Sequence, residues 1–202
     1  MKIYDCFMYF DEDTVLDLRL NYLNKFVDQF IIVESKFTHR GGQKELLFDI
    51  DKYSKFKDKI TYLIVDQEPD GLHTINDEDD ENTLSKKYIL NAAKRENYQR
   101  NYILKGIEKA DLNDLILISD LDEIPNLEKI DFNNLKSKLI FFQQKMFYYK
   151  FNLYLPSVIW TGSKACKKKN LISPQWLRNI KDRTYPFWRI DTLFSKIKYQ
   201  NI

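Results

Sequence analysis

The stretch LILISDLDEIP, residues 115–125, is an apolar run that ends abruptly in three acids and a proline. Its first five residues have the continuous apolar character of a strand that is buried on both faces of a parallel sheet. Asp120 is the residue at which this strand would leave the sheet. Ligands of open α/β sheets bind in the crevice beyond the carboxyl ends of the strands. The stretch therefore predicts a parallel sheet that carries acids at its binding edge.

Apolar segments before this stretch predict more strands and helices. Strands are predicted at residues 3–10, 30–35 and 59–66, a helix at residues 13–26, and a long helix at residues 84–109. Alternating strands and helices are typical of an α/β fold. We therefore expect a mostly parallel central sheet with helices on both faces.

The pattern changes after Pro125. Residues 139–164 predict closely spaced, more antiparallel strands, and residues 174–180 predict a short helix. No internal repeat and no linker separates this part from the first, and 202 residues fit one core. The sequence predicts a single domain, residues 1–202.

Charge is unevenly distributed, although the net charge is only +2. From Lys164 onward ten basic residues face two acids, whereas residues 66–81 hold eight acids and no Lys or Arg. A net charge this small argues against a nucleic-acid partner. The basic run KACKKK, residues 164–169, leaves two readings open: a solvated edge, or peripheral contact with an anionic membrane.

Localisation signals are missing from the sequence. Two cysteines do not make a disulfide framework, and no apolar run has the length of a membrane span. The N-terminal residues lack the apolar core and cleavage site of a signal peptide. We expect a cytoplasmic protein without a transmembrane segment.

The acids after the predicted strand suggest a metal site. If residues 120–122 stay extended, Asp120 and Asp122 project to the same side of the chain. Two carboxylates that converge without a basic neighbour repel each other, and a hard divalent cation removes that repulsion. The pattern therefore predicts a bound Mg²⁺ or Mn²⁺. The alternative is a solvated acidic turn that caps the next helix.

Other kinds of site are excluded by composition. None of the five glycines forms a phosphate-binding GxxxxGK or GxGxxG loop, and His39 and His73 are the only histidines. What remains is a carboxylate-held Mg²⁺ or Mn²⁺ that carries phosphates.

The long helix has a stripe of residues three or four positions apart. The stripe comprises Ile89, Ala93, Glu96, Arg100, Ile103 and Ile107. Glu96 and Arg100 interrupt its apolar character. Either they form an ordinary ion pair between residues i and i+4, or they reach the crevice and contact phosphate and sugar hydroxyls.

Four segments occur in a familiar order: DCFMYFDEDTVLDLRLNYL, VDQFIIVESKFTHRGGQKELLF, RENYQRNYI and LILISDLDEIP. Together they resemble glycosyltransferase family 17, the family of β-1,4-mannosyl-glycoprotein N-acetylglucosaminyltransferase. The resemblance covers roughly residues 4–149. It implies a GT-A-like fold and a metal-dependent, inverting transfer of a sugar from a nucleotide-sugar donor to a glycan hydroxyl. The donor it implies is UDP-GlcNAc or a related UDP-hexose.

The resemblance also implies roles for individual residues. Asp120 and Asp122 resemble the family's DxD motif, which holds metal and diphosphate, and Glu123 and Glu34 are the candidates for the catalytic base. Residues that match the family's donor-binding positions are Glu12, Arg19, Thr38, Lys44, Glu96 and Arg100. Residues 1–125 would form the nucleotide-sugar-binding half and residues 126–202 the acceptor-side half.

One departure from the family pattern lies in the C-terminal part. Family members continue into a segment that contains a histidine, whereas this chain has Trp188 and Phe194 but no histidine after His73. The expectation is a shortened acceptor-side half. Two rival functions stay open: a metal-dependent phosphohydrolase or nuclease that uses the same acids, and a non-catalytic nucleotide-sugar binder.

Overall fold

The computed structural model describes residues 1–128, 130–132, 134–150, 152–182 and 198–202. The strands are β1 (Ile3–Met8), β2 (Gln29–Ser35), β3 (Ile60–Val65), β4 (Leu115–Ile118), β5 (Leu139–Phe141), β6 (Gln144–Phe147), β7 (Tyr154–Trp160), β8 (Lys164–Lys167) and β9 (Tyr199–Asn201). The helices are α1 (Asp13–Leu23), α2 (Glu81–Asn101), α3 (Ile103–Gly106) and α4 (Pro174–Asn179), with 3₁₀ segments at Ile50–Lys59 and Lys168–Asn170.

Seven strands form the central sheet, in the order β3-β2-β1-β4-β8-β5-β9. The first four are parallel to one another, and β8 is antiparallel to both of its neighbours. β6 and β7 form a separate antiparallel pair. The predicted α/β fold, with a mostly parallel sheet and antiparallel strands toward the C-terminus, is confirmed.

Alternate residues of the strands face two helical layers. Phe7 and Phe30 pack on the side of α1, whereas Cys6 and Ile31 pack on the side of α3 and α4. Helices therefore cover both faces, as predicted. The thiols of Cys6 and Cys166 are free and buried, and burial raises the pKa of Cys166 to about 12.

The predicted long helix is interrupted. α2 ends at Asn101, and α3 packs so closely on β2 that a Cβ atom at Gly106 would lie 2.4 Å from Cγ2 of Ile31. Ile89, the first residue of the predicted stripe, is 66% exposed, and Asn91 is buried instead. Asn91 accepts from the backbone N–H of His73 at 2.7 Å and donates to its carbonyl at 2.8 Å, which explains its burial.

A crevice is expected beside β1, because β1 has β2 on one side and β4 on the other. The loops that leave β1 and β4 therefore diverge at the switch point of the sheet. In the part of the chain that the structure describes, no helix is both long and apolar enough to cross a bilayer.

Candidate active site

A cleft of about 1230 Å³ lies at the carboxyl ends of the parallel strands. One wall comes from the loops after β1, β2 and β4 together with α2, and another comes from β6, the turn that follows it and the end of β7. β6, β7 and their connecting turn are called the ribbon below. The cleft is large enough for a ligand of nucleotide-sugar size.

The acids after β4 form a tight turn rather than the extended segment that was expected. The backbone N–H of Glu123 donates to the carbonyl of Asp120 at 3.1 Å. Residues 120–123, called the acidic turn below, line the cleft. Asp120 and Asp122 therefore do not project as neighbours on one face of a strand.

Arg19 fixes the shape of the acidic turn from behind. Its guanidinium is fully buried and donates from Nη1 to the carbonyls of Asp120, Leu121 and Glu123 at 3.0, 3.0 and 3.1 Å. It also forms a two-bond ion pair with the buried Asp5, at 2.6 and 2.8 Å. Arg19 was predicted to bind the donor, but the structure places it outside the cleft lining, with its donors used inside the protein.

Two arginines neutralise the acidic turn, and of these Arg100 lines the cleft. Asp120 accepts from Arg100 Nη2 at 3.0 Å and from Arg178 Nη2 at 2.5 Å. Arg178 also forms a two-bond pair with Glu123, at 2.7 and 2.9 Å. Burial alone would lower the pKa of Arg178, but the charges of Glu123 and Asp120 outweigh it and raise that pKa. The premise that these acids lack a basic neighbour is therefore wrong.

Glu123 has no oxygen left for a further strong donor. Besides Arg178, it accepts from Trp160 Nε1 at 2.5 Å and from the backbone N–H of Asp120 at 2.9 Å. Gly162 makes this packing possible, because a Cβ atom there would lie 1.8 Å from Glu123 Oε1. Glu123 was a candidate base, and this geometry makes it an anchor for Arg178 and Trp160 instead.

Asp122 is the acid of this turn that remains available. It is exposed, it lines the cleft, and no described residue donates a hydrogen bond to it. No cluster of three or more His, Cys, Asp or Glu side chains is arranged around a common point within the described residues. Mg²⁺ commonly uses only one or two protein carboxylates and completes its shell with substrate phosphates and water. Asp122 alone fits that mode of binding, whereas Asp120 would first have to release an arginine.

Glu34, the other candidate base, lies behind the cleft. It is fully buried and accepts from Lys44 Nζ at 2.6 Å, from Tyr62 Oη at 2.8 Å, and from the backbone N–H groups of Leu47 and Phe48 at 2.9 and 3.1 Å. These four donors leave it no lone pair directed at a substrate. Glu34 therefore fixes the loop that follows β2.

Four of the predicted donor-binding residues do line the cleft together with Arg100. They are Glu12, Thr38, Lys44 and Glu96. Glu12 Oε2 accepts from the backbone N–H groups of Phe10 and Asp11, both at 3.1 Å, and Glu96 Oε1 accepts from Arg100 at 2.9 Å. Each of these two glutamates keeps its other oxygen free of hydrogen bonds to the described residues.

Sequence reasoning missed Arg178 and Gln144. Arg178 lies on a short helix 55 positions from Glu123, and only the excess of basic residues after residue 164 pointed to that region. Gln144 lines the cleft, and its Oε1 is buried with no hydrogen-bond partner among the described residues. Of the three tryptophans, Trp160 lines the cleft, Trp176 packs on the core, and Trp188 lies outside the described residues.

Comparison with protein families gives a match. A family model described as glycosyltransferase family 17 matches residues 1–174 of the 202. The matched range contains β1 to β8 and the acidic turn, and it ends at the first residue of α4. No curated protein matches the chain.

Proposed function

Since the chain belongs to glycosyltransferase family 17, we propose that it transfers a hexose, in the simplest case N-acetylglucosamine, from a UDP-sugar to a hydroxyl of a glycan or glycoconjugate. The transfer would invert the anomeric centre and depend on Mg²⁺ or Mn²⁺. The observation that carries this proposal is the neutralised acidic turn at the switch point of the sheet, inside a cleft large enough for the donor.

The donor diphosphate fits the wall that holds Arg100 and Arg178. Negative charge develops on the leaving nucleotide as the sugar is released, and fixed cations beside it lower the barrier. The guanidinium of Arg100 lines the cleft, and that of Arg178 pairs with the same carboxylate of Asp120. Because the groups are positioned before the donor arrives, little reorganisation is needed during the reaction.

Asp122 is the residue that would hold the divalent cation. A bound Mg²⁺ or Mn²⁺ would supply further positive charge for the departing diphosphate. Asp122 is exposed in the cleft and has no partner among the described residues, so a cation meets no competing cation there. Asp120 then acts as an acceptor for two arginines, which differs from the role that the resemblance implied.

The base that deprotonates the acceptor hydroxyl is assigned to Glu12 or Glu96. A base must have a lone pair within reach of the substrate proton. Both of these glutamates line the cleft and keep one carboxylate oxygen unbonded, whereas Glu123 and Glu34 each accept from four donors. A Gln substitution of the true base would abolish turnover with little effect on donor affinity, and the same change in the other glutamate would not.

The acceptor fits the wall formed by the ribbon. Trp160 lies next to Gln144 on the paired strand, and both line the cleft. An indole ring offers a flat apolar surface to the C–H face of a sugar. A sugar hydroxyl that donates to Gln144 Oε1 would remove the cost of leaving that acceptor unbonded.

The test combines calorimetry of UDP-sugars, with and without Mn²⁺, with an assay of nucleotide release in the presence of glycan acceptors. We expect metal-dependent donor binding and a loss of about 10²-fold in turnover for Asp122→Asn. Asp77→Asn is the matched control, because Asp77 is an exposed acid outside the cleft lining. If no UDP-sugar binds in either condition, the transferase proposal is wrong. If Asp122→Asn and Asp77→Asn have the same turnover and the same metal-dependent donor binding, only the metal assignment is wrong.

A further inference from the structure

The ribbon presents an unusually apolar surface to solvent. Every residue of β7 is exposed, and the exposed fraction of Leu153, Tyr154 and Ile159 is 48%, 48% and 64%. Phe147 and Tyr148 add exposed aromatic rings at the other side of the turn. Exposed apolar side chains concentrated on one two-stranded element indicate a surface that binds a partner.

The ribbon also lies within a segment that has no acids. Residues 132–181 contain ten Lys or Arg residues and no Asp or Glu. Lys145 and Lys150 belong to the ribbon itself. The ribbon itself therefore combines exposed apolar side chains with lysines and contains no acid, although acids line the opposite wall of the cleft. Such an element is complementary to a partner that is apolar inside and anionic at its surface.

The basic run after β8 does not supply a competing surface. Lys164 is buried, and Lys168 Nζ donates to the carbonyls of Glu108 and Ala110, both at 2.7 Å. Lys169 donates to Asn113 at 2.8 Å. Lys168 and Lys169 are therefore tied to the protein surface, whereas Lys145 and Lys150 are exposed beside the apolar side chains of the ribbon.

Tyr149, at the tip of the ribbon, is held in an unfavourable backbone conformation. Its φ is +61°, a region that favours Gly and Asn, and its side chain is 89% exposed. A bulky residue in this conformation raises the energy of the folded state, and no core packing of the ring offsets that cost. Retaining an aromatic ring there is understandable if the ring binds something outside the protein.

We propose that the ribbon docks the protein on the surface of an anionic lipid bilayer. Tyrosine and tryptophan side chains prefer the interfacial zone of a membrane, and apolar side chains beside them enter the boundary of the acyl chains. Each lysine close to an anionic surface adds electrostatic attraction to the headgroups. Lys145, Lys150 and the apolar tip combine both contributions on one projecting element.

A second copy of the chain is a poorer occupant of the same surface. In a two-fold symmetric contact between ribbons, the lysines of one copy would approach those of the other, and the ribbon contains no acid to pair with them. Desolvating like charges opposes such a contact. A bilayer with anionic headgroups avoids this repulsion.

Docking by the ribbon would bring the mouth of the cleft to the lipid surface, because β6 and Trp160 also line the cleft. The proposal goes beyond the transferase function and does not depend on it. It concerns binding to lipid in the absence of any sugar nucleotide, so its failure leaves the proposed function untouched.

The test is flotation of the full chain with vesicles of phosphatidylcholine, with and without phosphatidylglycerol. We expect binding to the mixed vesicles, weaker binding by about tenfold or more to the neutral ones, and release as the salt concentration is raised. Equal binding to both kinds of vesicle, or no binding to either, would overturn the proposal.

The decisive variant is Tyr149→Asn combined with Leu153→Ser. Asn adopts positive φ more readily than Tyr, so this change removes the ring without adding strain to the fold. We expect vesicle binding to fall by about tenfold or more at unchanged thermal stability. Ile172→Ser is the control, because Ile172 is 71% exposed but lies outside the ribbon. A concentration-dependent dimer in solution that the double variant abolishes would instead identify a second copy as the occupant.

Discussion

The acidic turn and the ribbon both line the cleft, but different forces hold them in place. The acidic turn is fixed by Arg19 from behind and by Arg100 and Arg178 in front. The ribbon is a two-stranded pair outside the central sheet, and β7 is exposed along its whole length. Trp160 joins the two regions through its hydrogen bond to Glu123.

This difference separates two tasks within one cleft. A wall in which Asp120 and Glu123 are paired with arginines keeps its geometry without a ligand, which suits a step that needs preorganised charge. A ribbon with few buried contacts changes shape at a smaller cost, which suits contact with varied acceptors or a surface. The variants described next weaken either the acidic turn, its contact with the ribbon, or the helix that carries Arg178.

The largest effect is expected from Arg19→Met. The change leaves the Asp5 carboxylate buried and unpaired and removes the donor to three carbonyls of the acidic turn. Breaking a buried pair in this way costs about 3–5 kcal/mol. We expect the free energy of unfolding in urea to fall by that amount.

Lys25→Met is the matched control, because the pair of Lys25 with Glu128 is about half exposed. Exposed pairs contribute at most about 1 kcal/mol. The double variant Asp5→Leu with Arg19→Met should recover part of the lost stability, since it removes the unpaired charge but not the unbonded carbonyls. Equal losses for Arg19→Met and Lys25→Met would mean that Arg19 does not hold the turn.

The elements on this wall could be predicted from sequence because their signals are local. An apolar run followed by acids placed the strand and the cleft-lining Asp120 and Asp122. Four-residue spacing left open whether Glu96 and Arg100 form an ion pair or reach the crevice, and the structure shows both. The buried position of Arg19 could not be predicted, because arginine is usually exposed and its partners lie 14 to 104 positions away. The pairing of Arg178 with Glu123 could not be predicted for the same reason, because the two residues lie 55 positions apart in sequence.

Other errors arose where tertiary contacts override a local pattern. Helical spacing placed Ile89 on the apolar stripe of the helix, yet the structure exposes Ile89 and buries Asn91, which binds the backbone of His73. The prediction that residues 120–122 are extended also rested on local sequence alone. The turn is instead fixed by three backbone carbonyls that accept hydrogen bonds from the guanidinium of Arg19. No residue close to the turn in sequence indicates these contacts.

A smaller effect is expected from Gly162→Ala, which tests the link between the two walls. The new Cβ atom would lie 1.8 Å from Glu123 Oε1 and 2.2 Å from Trp160 Nε1, so one side chain must move. Overpacking of this kind costs about 1–3 kcal/mol. We expect that loss in thermal stability, quenched or shifted Trp160 fluorescence, and a fall of about tenfold or more in turnover.

Gly42→Ala is its control, since the nearest heavy atom to a Cβ there is Thr38 Oγ1 at 3.5 Å. That distance is ordinary van der Waals contact, so stability should change by less than about 0.5 kcal/mol. If Gly162→Ala leaves stability and turnover unchanged, the contact between Trp160 and Glu123 does not couple the ribbon to the acidic turn.

A third effect, at most about 1.4 kcal/mol per pH unit, is expected from the lysine beneath α4. Lys164 Nζ donates to the carbonyls of Arg178 and Ile180, both at 2.6 Å, and so tethers the helix that carries Arg178. Burial, together with the charge of Arg178, lowers the pKa of Lys164 from 10.5 to about 8. The neutral amine still has two N–H groups for these two carbonyls, so the tether survives deprotonation.

The direction of the pH dependence follows from this lowered pKa. Between pH 8 and 10.5 the unfolded chain keeps the Lys164 proton while the folded protein releases it, so stability rises with pH. Below pH 8 both states are protonated and the buried charge destabilises the folded protein by a constant amount. In urea titrations, the free energy of unfolding of the wild type should therefore rise relative to that of Lys164→Met by up to about 1.4 kcal/mol per pH unit between pH 8 and 10.5. The buried thiols and tyrosines titrate in both proteins and cancel in the difference. A difference that stays constant with pH would mean that Lys164 is not buried under α4, and the wall that carries Arg178 would then be as loosely held as the ribbon.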